Sequence, residues 1–553
     1  MTRRVVVVGA GAAGAPLAAR LSEDADVDVT VLEAGAVPAR RAEFPPELLD
    51  ASTVQGAMPG HPANWSYLGH LTEDLPYTIA RGRIIGGSST INGAYFVRAT
   101  PADFARWATV GGDDWGYERM LPRMRALERD LDLGAGPLHG DAGPMPVRRA
   151  AQGHPAAEAF SAAARDLGFA DEPDKNAGGA AGVGPVPLNV VDGVRVNTGE
   201  AYLNPARGRP NLRVVGGCRV LRVVLDGTRA TGVEVLRDGA RETVPADEVV
   251  LCAGGIGTPH LLLASGIGPA DQLRAAGVPV VVDSPGVGAA FSDHPDLSIG
   301  WRARRDLMDP RTPETFTTAL NLSSGEPVPD ASGAPGAPAD DLEVMVCVKS
   351  MSWLLTGRRS MFAGGARTAL RHPIDTLRAL RGTSLARVRE QAAHGRDLSV
   401  LVGLQREQAR GSITLASADP TVAPHIDYRY LSTASDRARL RVGVRTAVAL
   451  LRSRPFAPLV ERLTELDDAT VADDDALDAW MRAHLGTAIH LCGSAPMGPA
   501  DAPGSVVDAH GRVHGATGLR VADTSMLPDT PSRGPAATAV LIGESVAAWM
   551  RAE

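Results

Sequence analysis

The apolar pattern near the amino terminus predicts a strand, a helix and a second strand in close succession. Residues 5–8 are four consecutive valines, which is typical of a parallel strand buried on both faces. A glycine-rich loop follows at 9–14, and small apolar residues continue over 15–21 as a predicted helix. Residues 27–32 are again apolar at alternate positions and predict the second strand. The order indicates the start of an α/β domain with a parallel sheet.

The loop between the first strand and the helix has the spacing of a dinucleotide-binding turn, Gly9-Ala-Gly11-Ala-Ala-Gly14. The first glycine allows the tight turn, the second lets a pyrophosphate approach the backbone, and the third lets the helix pack on the strand. Glu33 ends the second strand, where an acid is expected to accept hydrogen bonds from ribose hydroxyls, which disfavours NADP. The expected cofactor-binding residues here are Gly9, Gly11, Ala12, Ala13, Gly14, Glu33 and Ala34.

A second glycine-rich segment follows farther along the chain. Residues 82–93 read Gly-Arg-Ile-Ile-Gly-Gly-Ser-Ser-Thr-Ile-Asn-Gly, a run of small residues that lets backbone amides approach a bulky, charged cofactor. This segment resembles the first signature of the glucose-methanol-choline (GMC) oxidoreductases, which covers the flavin and its pyrophosphate. The resemblance implies FAD contacts at Arg83, Gly86, Gly87, Ser88, Asn92, Gly93 and Ala94.

The resemblance continues along the chain. Residues 247–252 predict a strand, and the following Ala253-Gly254-Gly255 and Ser265-Gly266 resemble the family's second signature. It implies a cofactor contact at Ala253, and a backbone contact with the adenine at Val220. The segment Asp293-His294-Pro295 resembles the family's exit from the cofactor domain, where His294 is expected to be structural.

The carboxyl-terminal segments resemble the family's active site. His490 falls on the catalytic histidine, which would take the hydroxyl proton while hydride passes to flavin N5. Asp523 falls on an acid near the flavin ribityl or phosphate, and Ala537 and Thr538 fall on further cofactor contacts.

Two departures from the family pattern change the expectations. Gly534 stands where the family usually has a second active-site His or Asn, so another loop, water or Arg533 would replace that group. Arg533 stays protonated, so its candidate catalytic role is to stabilise an alkoxide or attract an anionic substrate. Ile91 stands where some members attach the flavin through histidine, so we expect non-covalent FAD.

The length of 553 residues predicts two domains. The resemblance implies a Rossmann-like FAD-binding domain and a second, substrate-binding domain built on an antiparallel sheet flanked by helices. We expect the FAD-binding domain to comprise residues 1–100, 195–300 and 481–553. The substrate-binding domain then comprises residues 101–194 and 301–480.

Composition and charge add expectations about location and partners. The net charge of −8 gives no reason to expect a nucleic-acid partner, and four scattered cysteines suit neither a metal site nor a disulfide framework. Arg3-Arg4 resembles a twin-arginine export signal, but its removal would delete the nucleotide loop, so we expect a cytoplasmic protein. The basic segment 353–396 is typical of a solvated helix face or of a peripheral membrane contact.

These observations predict an FAD-dependent oxidoreductase that converts a CH–OH group of a small-molecule alcohol to a carbonyl. Oxygen, a quinone or a carrier protein would accept the electrons, and no motif selects between oxidase and dehydrogenase. The alternatives are a redox-silent, hydroxynitrile-lyase-like enzyme that keeps FAD, a mycofactocin-linked dehydrogenase, and a photodecarboxylase.

Overall fold

The structure is a computed structural model that describes residues 2–309, 312–328, 340–358 and 397–553. Its first sheet, the parallel sheet, has five strands that all run in the same direction. In spatial order these strands are Leu212–Val215, Val27–Leu32, Arg3–Val8, Glu248–Leu251 and Leu519–Val521.

The valine run forms the central strand of the parallel sheet. Val5 pairs with Glu248 on one side and Val29 on the other, and all four valines are buried. A strand with partners on both edges and apolar contacts on both faces needs such a sequence. Helix Gly14–Leu21 begins directly after the glycine loop and packs against helix Ala536–Ala552.

The second large sheet, the antiparallel sheet, has six strands in one path and a seventh beside them. In spatial order they are Val460–Leu463, Pro295–Ala303, Leu398–Leu404, Asp340–Cys347, Phe316–Ser323 and Val183–Pro185, while Leu485–Thr487 pairs with Pro295–Ala303. Val402 and Leu342 project from its outer face onto Gly443 of helix Ala434–Arg452. The alternate residues of the same strands face the other way, toward the cavity described below.

Smaller elements complete the fold. A four-stranded sheet contains Ser412–Thr414, His425–Asp427, Tyr67–Thr72 and Leu75–Ile79, and a meander contains Cys218–Asp226, Arg229–Arg237 and Ala240–Pro245. The shorter strands are Glu128–Asp130, Met145–Arg149, Pro187–Leu188, Val190–Val191, Val194–Arg195, Ile267–Gly268 and Val282–Asp283. The other helices are Pro46–Leu49, Pro101–Gly111, Tyr117–Leu127, Pro155–Asp166, Asn204–Ala206, Gly254–Ala264, Ala270–Ala275, Met351–Thr356, Asp468–Ala472 and Asp474–His484.

Packing crosses the predicted domain boundaries at two places. The indole N–H of Trp107 donates to Asp529, and the ring of Trp115 lies 6.0 Å from that of Trp549, so residues 101–127 pack on the core of the parallel sheet. Strand Pro295–Ala303 also continues through the expected division at residue 300. The division into two domains stays a prediction. The buried contacts of residues 101–127 and of strand Pro295–Ala303 do not follow the predicted boundaries.

Among the described residues, no helix combines the length and the apolar character needed to cross a membrane. Most of the basic segment 353–396, for which we considered a membrane contact, lies outside the described residues, which stop at 358 and resume at 397.

Candidate active site

A cavity of about 490 Å³ extends from the carboxyl ends of the parallel strands to one face of the antiparallel sheet. Segments that are far apart in the sequence meet there. The predicted site residues that line it are Gly9, Gly11, Ala12, Ala13, Glu33, Ala34, Gly87, Ser88, Asn92, Gly93, Val220, Ala253, His490 and Asp523.

The two glycine-rich loops lie against each other at one end of this cavity. A Cβ atom on Gly87 would lie only 2.7 Å from the Cα of Gly11, and Gly87 has a φ of +53°. A Cβ on Gly14 would lie 2.0 Å from the carbonyl oxygen of Gly9. The first contact keeps both loops thin where they line the cavity, and the second lets the helix begin directly under the turn.

Glu33 reaches the same end of the cavity from the second parallel strand. Its two carboxyl oxygens accept hydrogen bonds from the backbone N–H groups of Ala10 at 3.1 Å and Gly35 at 2.8 Å. Burial raises the pKa of this carboxyl, and those two N–H groups oppose the rise. The carboxyl is therefore fixed at the position where the sequence predicts ribose recognition.

Asp523 lines the cavity, but both of its carboxyl oxygens accept hydrogen bonds from other groups of the protein. One oxygen accepts from the N–H of Gly254 and the hydroxyl of Thr258, and the other accepts from the N–H and hydroxyl of Ser525, all within 2.9 Å. This arrangement fastens the start of helix Gly254–Ala264 to the last parallel strand. Asp523 thus shapes the cofactor end, and its direct contact with FAD stays a prediction.

Six of the predicted cofactor residues do not line the cavity. Gly14 supports the helix, the Arg83 guanidinium lies 5.1 Å from the Trp65 ring centroid, and the Gly86 N–H donates to the Ala10 carbonyl. The complete set is Gly14, Arg83, Gly86, Ala94, Ala537 and Thr538. Instead of the last two, their neighbours Pro535 and Ala536 line the cavity.

Arg533 also lies away from the cavity lining. It is 4% exposed, and its guanidinium forms an ion pair with Glu172 at 3.2 Å. Lys175 bonds the other oxygen of Glu172 at 2.7 Å. Arg533, the candidate second catalytic residue, therefore does not line the cavity with His490, and its charge is paired with a buried carboxylate that is distant in sequence.

His490 lies on the cavity beside a second histidine. Its Nδ1 is 3.0 Å from Nδ1 of His294, and the two rings are perpendicular. Burial, His294 and Arg81 lower the pKa of His490 well below its usual value, and burial lowers the pKa of His294 to about 4. Two neutral imidazoles can share one N–H···N hydrogen bond. Sequence reasoning assigned His294 only a structural role and missed this contact.

The backbone that carries His490 is held in a strained conformation. Ile489 has a φ of +63°, which a β-branched residue rarely adopts. Arg81 donates to the Ile489 carbonyl at 2.5 Å, and the buried carboxyl of Asp293 accepts from the His490 N–H at 2.6 Å. These two groups, which sequence reasoning did not select, fix the direction of the imidazole.

Gly534 faces His490, as the family pattern implies. A Cβ there would lie 3.5 Å from Cε1 and 3.6 Å from Nε2 of His490. These are ordinary van der Waals distances, so the backbone leaves room for a side chain on the Nε2 side of the imidazole. The missing side chain leaves open space beside this nitrogen.

The antiparallel sheet contributes groups that the sequence reasoning did not select. Asp296, Glu343, Met345, Leu401, Gly403 and Gln405 all line the cavity. Burial raises the pKa of Asp296 to about 8, with Glu343 adding to the rise. Two features of the sequence could have indicated these acids: Asp296 follows Asp293-His294-Pro295, and Glu343 lies in the alternating strand 340–347. The two acids come together through strand pairing, which the local sequence pattern does not specify.

The shape of the cofactor end suits FAD. Any side chain at Gly87 would collide with Gly11, so the two loops can approach each other only with glycine there. Glu33 lines the cavity at the position expected for ribose recognition. From there the cavity runs on to Asn92, Gly93 and His490. The residues present therefore fit an extended dinucleotide whose second half reaches the histidine pair.

Comparisons with known proteins agree with this geometry. The family model described as GMC oxidoreductase matches residues 4–296 with its amino-terminal part and residues 407–543 with its carboxyl-terminal part. An uncharacterized GMC-type oxidoreductase of Rhodococcus erythropolis is 39% identical over 545 residues, covering 98% of this chain and 97% of that protein. An oxygen-dependent choline dehydrogenase of Rhizobium etli is 33% identical, covering 98% and 94%.

Among solved structures, pyridoxine 4-oxidase from Mesorbium loti superimposes with a TM-score of 0.84 at 30% identity, covering 100% of this chain and 99% of that one. These matches confirm the predicted fold class and the prediction of an FAD-dependent oxidoreductase acting on CH–OH donors. The chain belongs to the GMC oxidoreductase family.

Proposed function

We propose that this enzyme oxidises an alcohol to a carbonyl compound with His490 as the base. The observation that carries the proposal is a neutral imidazole on the cavity, held by its backbone and by a second histidine. Breaking the C–H bond of an alcohol is easier when the hydroxyl proton leaves to such a base. Bound FAD would supply the hydride acceptor, N5 of its flavin ring.

The histidine pair determines which nitrogen accepts the proton. If Nδ1 of His490 carries its hydrogen and donates to Nδ1 of His294, the free lone pair is on Nε2. Nε2 lies on the side of the open space at Gly534. The substrate hydroxyl would approach through that space, and Asp293 and Arg81 would keep the ring from turning away.

FAD would be held without a covalent bond. Ile91 lines the cavity where some family members have the linking histidine, and an isoleucine side chain has no nucleophilic atom. Denaturation with acid should release all of the yellow chromophore into the supernatant. Chromophore that stays with the precipitated protein would contradict this part of the proposal.

The identity of the electron acceptor and of the alcohol is open in the family. The relatives named above act, by their names, on choline and on pyridoxine, and one of them is called oxygen-dependent. Oxygen, a quinone or a carrier protein remains a candidate acceptor here. All four cysteines are free and buried, which suits the reducing cytoplasm that we propose as its location.

The test is anaerobic mixing of the purified holoenzyme with a panel of alcohols while flavin absorbance is followed. Bleaching by one class would support alcohol oxidation and name the class. Recovery on admission of air would then separate an oxidase from a dehydrogenase. If no alcohol bleaches the flavin while a cyanohydrin is cleaved, the lyase alternative replaces this proposal.

A further inference from the structure

Three apolar side chains of the antiparallel sheet lie next to each other on the cavity. Met345 and Leu401 are directly paired on neighbouring strands, and Phe316 pairs with Cys347, two residues from Met345. Directly paired residues point to the same face, and Phe316, Met345 and Leu401 all line the cavity and are only partly buried. A Cβ on Gly93 would lie 2.5 Å from the Phe316 ring. We call Phe316, Met345 and Leu401 the apolar wall.

The apolar wall lies opposite the cofactor residues and close to the catalytic segment. None of the predicted cofactor residues belongs to the antiparallel sheet. Strand Leu485–Thr487 ends three residues before His490 and pairs with Pro295–Ala303, which pairs on its other edge with Leu398–Leu404. Two strand spacings, about 10 Å, therefore separate the start of the catalytic segment from a strand of the wall. A substrate with its hydroxyl at His490 can place its hydrocarbon body on the wall.

The charges behind the apolar wall balance each other. Oε2 of Glu343 accepts a hydrogen bond from the Tyr95 hydroxyl at 3.1 Å. Burial raises the pKa of Glu343, and the nearby Arg533 and Lys175 oppose the rise. The same two bases form ion pairs with Glu172. Two acids thus face two bases, and Glu343 brings no excess of negative charge to the cavity.

The other acids and bases on this side of the cavity leave no net charge either. Burial raises the pKa of Asp296 to about 8, with Glu343 adding to the rise, so this carboxyl is protonated near pH 7. Burial raises the pKa of Asp293 to about 6, and Arg81 opposes the rise. Asp293 is therefore ionised near pH 7 and balances Arg81, while His490 is neutral. The described residues offer a charged substrate no uncompensated opposite charge here.

We propose that this site selects uncharged alcohols whose hydrocarbon body packs on the apolar wall, and that it rejects alcohols with a cation or an anion in that position. This inference rests on the proposed function, because it places the hydroxyl of the same molecule at His490. Packing an apolar body on Phe316, Met345 and Leu401 removes hydrocarbon from water and stabilises the complex. A charged group in the same place would lose its hydration without gaining an opposite charge.

Matched alcohols test the selection against charge. The molecules choline and 3,3-dimethylbutan-1-ol have nearly the same shape, but a carbon atom in the second replaces the cationic nitrogen of the first. We expect kcat/KM to favour 3,3-dimethylbutan-1-ol by at least ~10-fold. We expect the same preference for 4-methylpentan-1-ol over 4-hydroxybutanoate, in which a carboxylate replaces the isopropyl group. An equal or higher kcat/KM for either charged alcohol would overturn the proposal.

A substitution in the apolar wall tests where the hydrocarbon body packs. Leu401→Ala removes apolar contact and should lower kcat/KM for 3,3-dimethylbutan-1-ol at least ~10-fold. Leu463→Ala is the matched control, because Leu463 is a partly buried leucine of the same sheet that does not line the cavity. This control should keep the wild-type kcat/KM. An equal kcat/KM in the two variants would overturn the role of the wall.

Two amides separate binding at the apolar wall from the proposed chemistry. Betaine amide and 3,3-dimethylbutanamide end in a trimethylammonium and a tert-butyl group, and neither has a hydroxyl that could be oxidised. In calorimetric titration of the holoenzyme, we expect saturable binding of 3,3-dimethylbutanamide that is at least ~10-fold tighter than that of betaine amide. Leu401→Ala should weaken this binding and Leu463→Ala should not. Flavin absorbance of each variant checks that the fold and the cofactor are retained.

The outcomes of the kinetic and binding experiments are distinguishable. Undetectable binding of 3,3-dimethylbutanamide, or equally tight binding of both amides, overturns the selection by the apolar wall even if alcohols bleach the flavin. Tighter binding of the uncharged amide that depends on Leu401, without bleaching by any alcohol, supports the wall and overturns the proposed oxidation.

Discussion

Nδ1 of His490 lies 3.0 Å from Nδ1 of His294. Since the pKa values of both histidines are depressed, two neutral rings meet at this distance, and one must donate while the other accepts. His490 has a free lone pair on Nε2 only if His294 is the acceptor of this hydrogen bond. His294 would thus be a positioning residue that acts through His490.

Replacing His294 tests this assignment. His294→Phe fills the space without an acceptor, so we expect the rate of flavin reduction to fall at least ~10-fold while FAD remains bound. His294→Asn offers an acceptor oxygen and should recover part of the rate. His154→Asn is the control, since His154 is also buried but bonds the Leu307 carbonyl. Equal rates in both His294 variants would reduce His294 to a packing role.

The pH dependence of flavin reduction tests the state of His490. Burial, His294 and Arg81 lower its pKa well below the usual value, so the imidazole stays neutral as the pH falls through the usual histidine range. Because the base must be unprotonated, the rate should stay level from about pH 8 to pH 6 and decline only below that. The measurement is stopped-flow reduction at saturating alcohol, and half-loss near pH 6.5 would contradict the assignment.

Gly534 offers a test of the space beside Nε2. Its Cβ position is 3.5 to 3.7 Å from the nearest atoms, so Gly534→Ala should fold and bind FAD normally. The added methyl group narrows the approach to His490, and we expect KM to rise more for branched alcohols than for linear ones. The comparison of KM across such a series checks this. An unchanged series would show that substrates approach by another side.

A separate cluster predicts how stability depends on pH. Hydrogen bonds from His139 to Asp130, Asp174 and Glu128 outweigh the effect of burial and raise the pKa of His139 to about 10. A raised pKa stabilises the fold fully below the unfolded value of about 6.5, and this contribution is lost as the pH rises through about 10. His139→Gln should therefore lower the free energy of unfolding by ~2 kcal/mol at neutral pH, and by less as the pH approaches 10.

Urea unfolding of wild type and His139→Gln across this range is the measurement, with the exposed His425→Gln as control. Three members of this cluster, Glu128, Asp130 and His139, are also close enough together to hold a metal ion. The carboxyl groups of Glu128 and Asp130, however, already form ion pairs with Arg98 and Arg149. A difference that grows as the pH rises would refute the imidazolium assignment.

Most of the features that could be predicted come from residues that are close together in the sequence. The valine strand, the turn at Gly9 and the acid at Glu33 follow each other within one β-α-β unit, so their sequence specifies their placement. The placement of Gly534 beside His490 also follows from the family pattern of the whole loop. These features depend on neighbours in the chain.

Features set by distant contacts could not be predicted. Arg533 pairs with Glu172, more than 300 residues away, and nothing near Arg533 indicates that partner. Asp296 and Glu343 meet because two separate strands take the same register against Gly403. A shift of one residue in either strand would turn the carboxyl away from the cavity. Register of this kind emerges only from the assembled sheet.

His490 is the proposed base of the reaction. The most direct measurement is the anaerobic rate of flavin reduction in His490→Ala, with an alcohol that bleaches the wild-type enzyme. We expect the variant to keep its FAD spectrum and to lose at least ~100-fold in this rate. A rate within a few-fold of wild type would contradict the account, because the proton would then leave to another group.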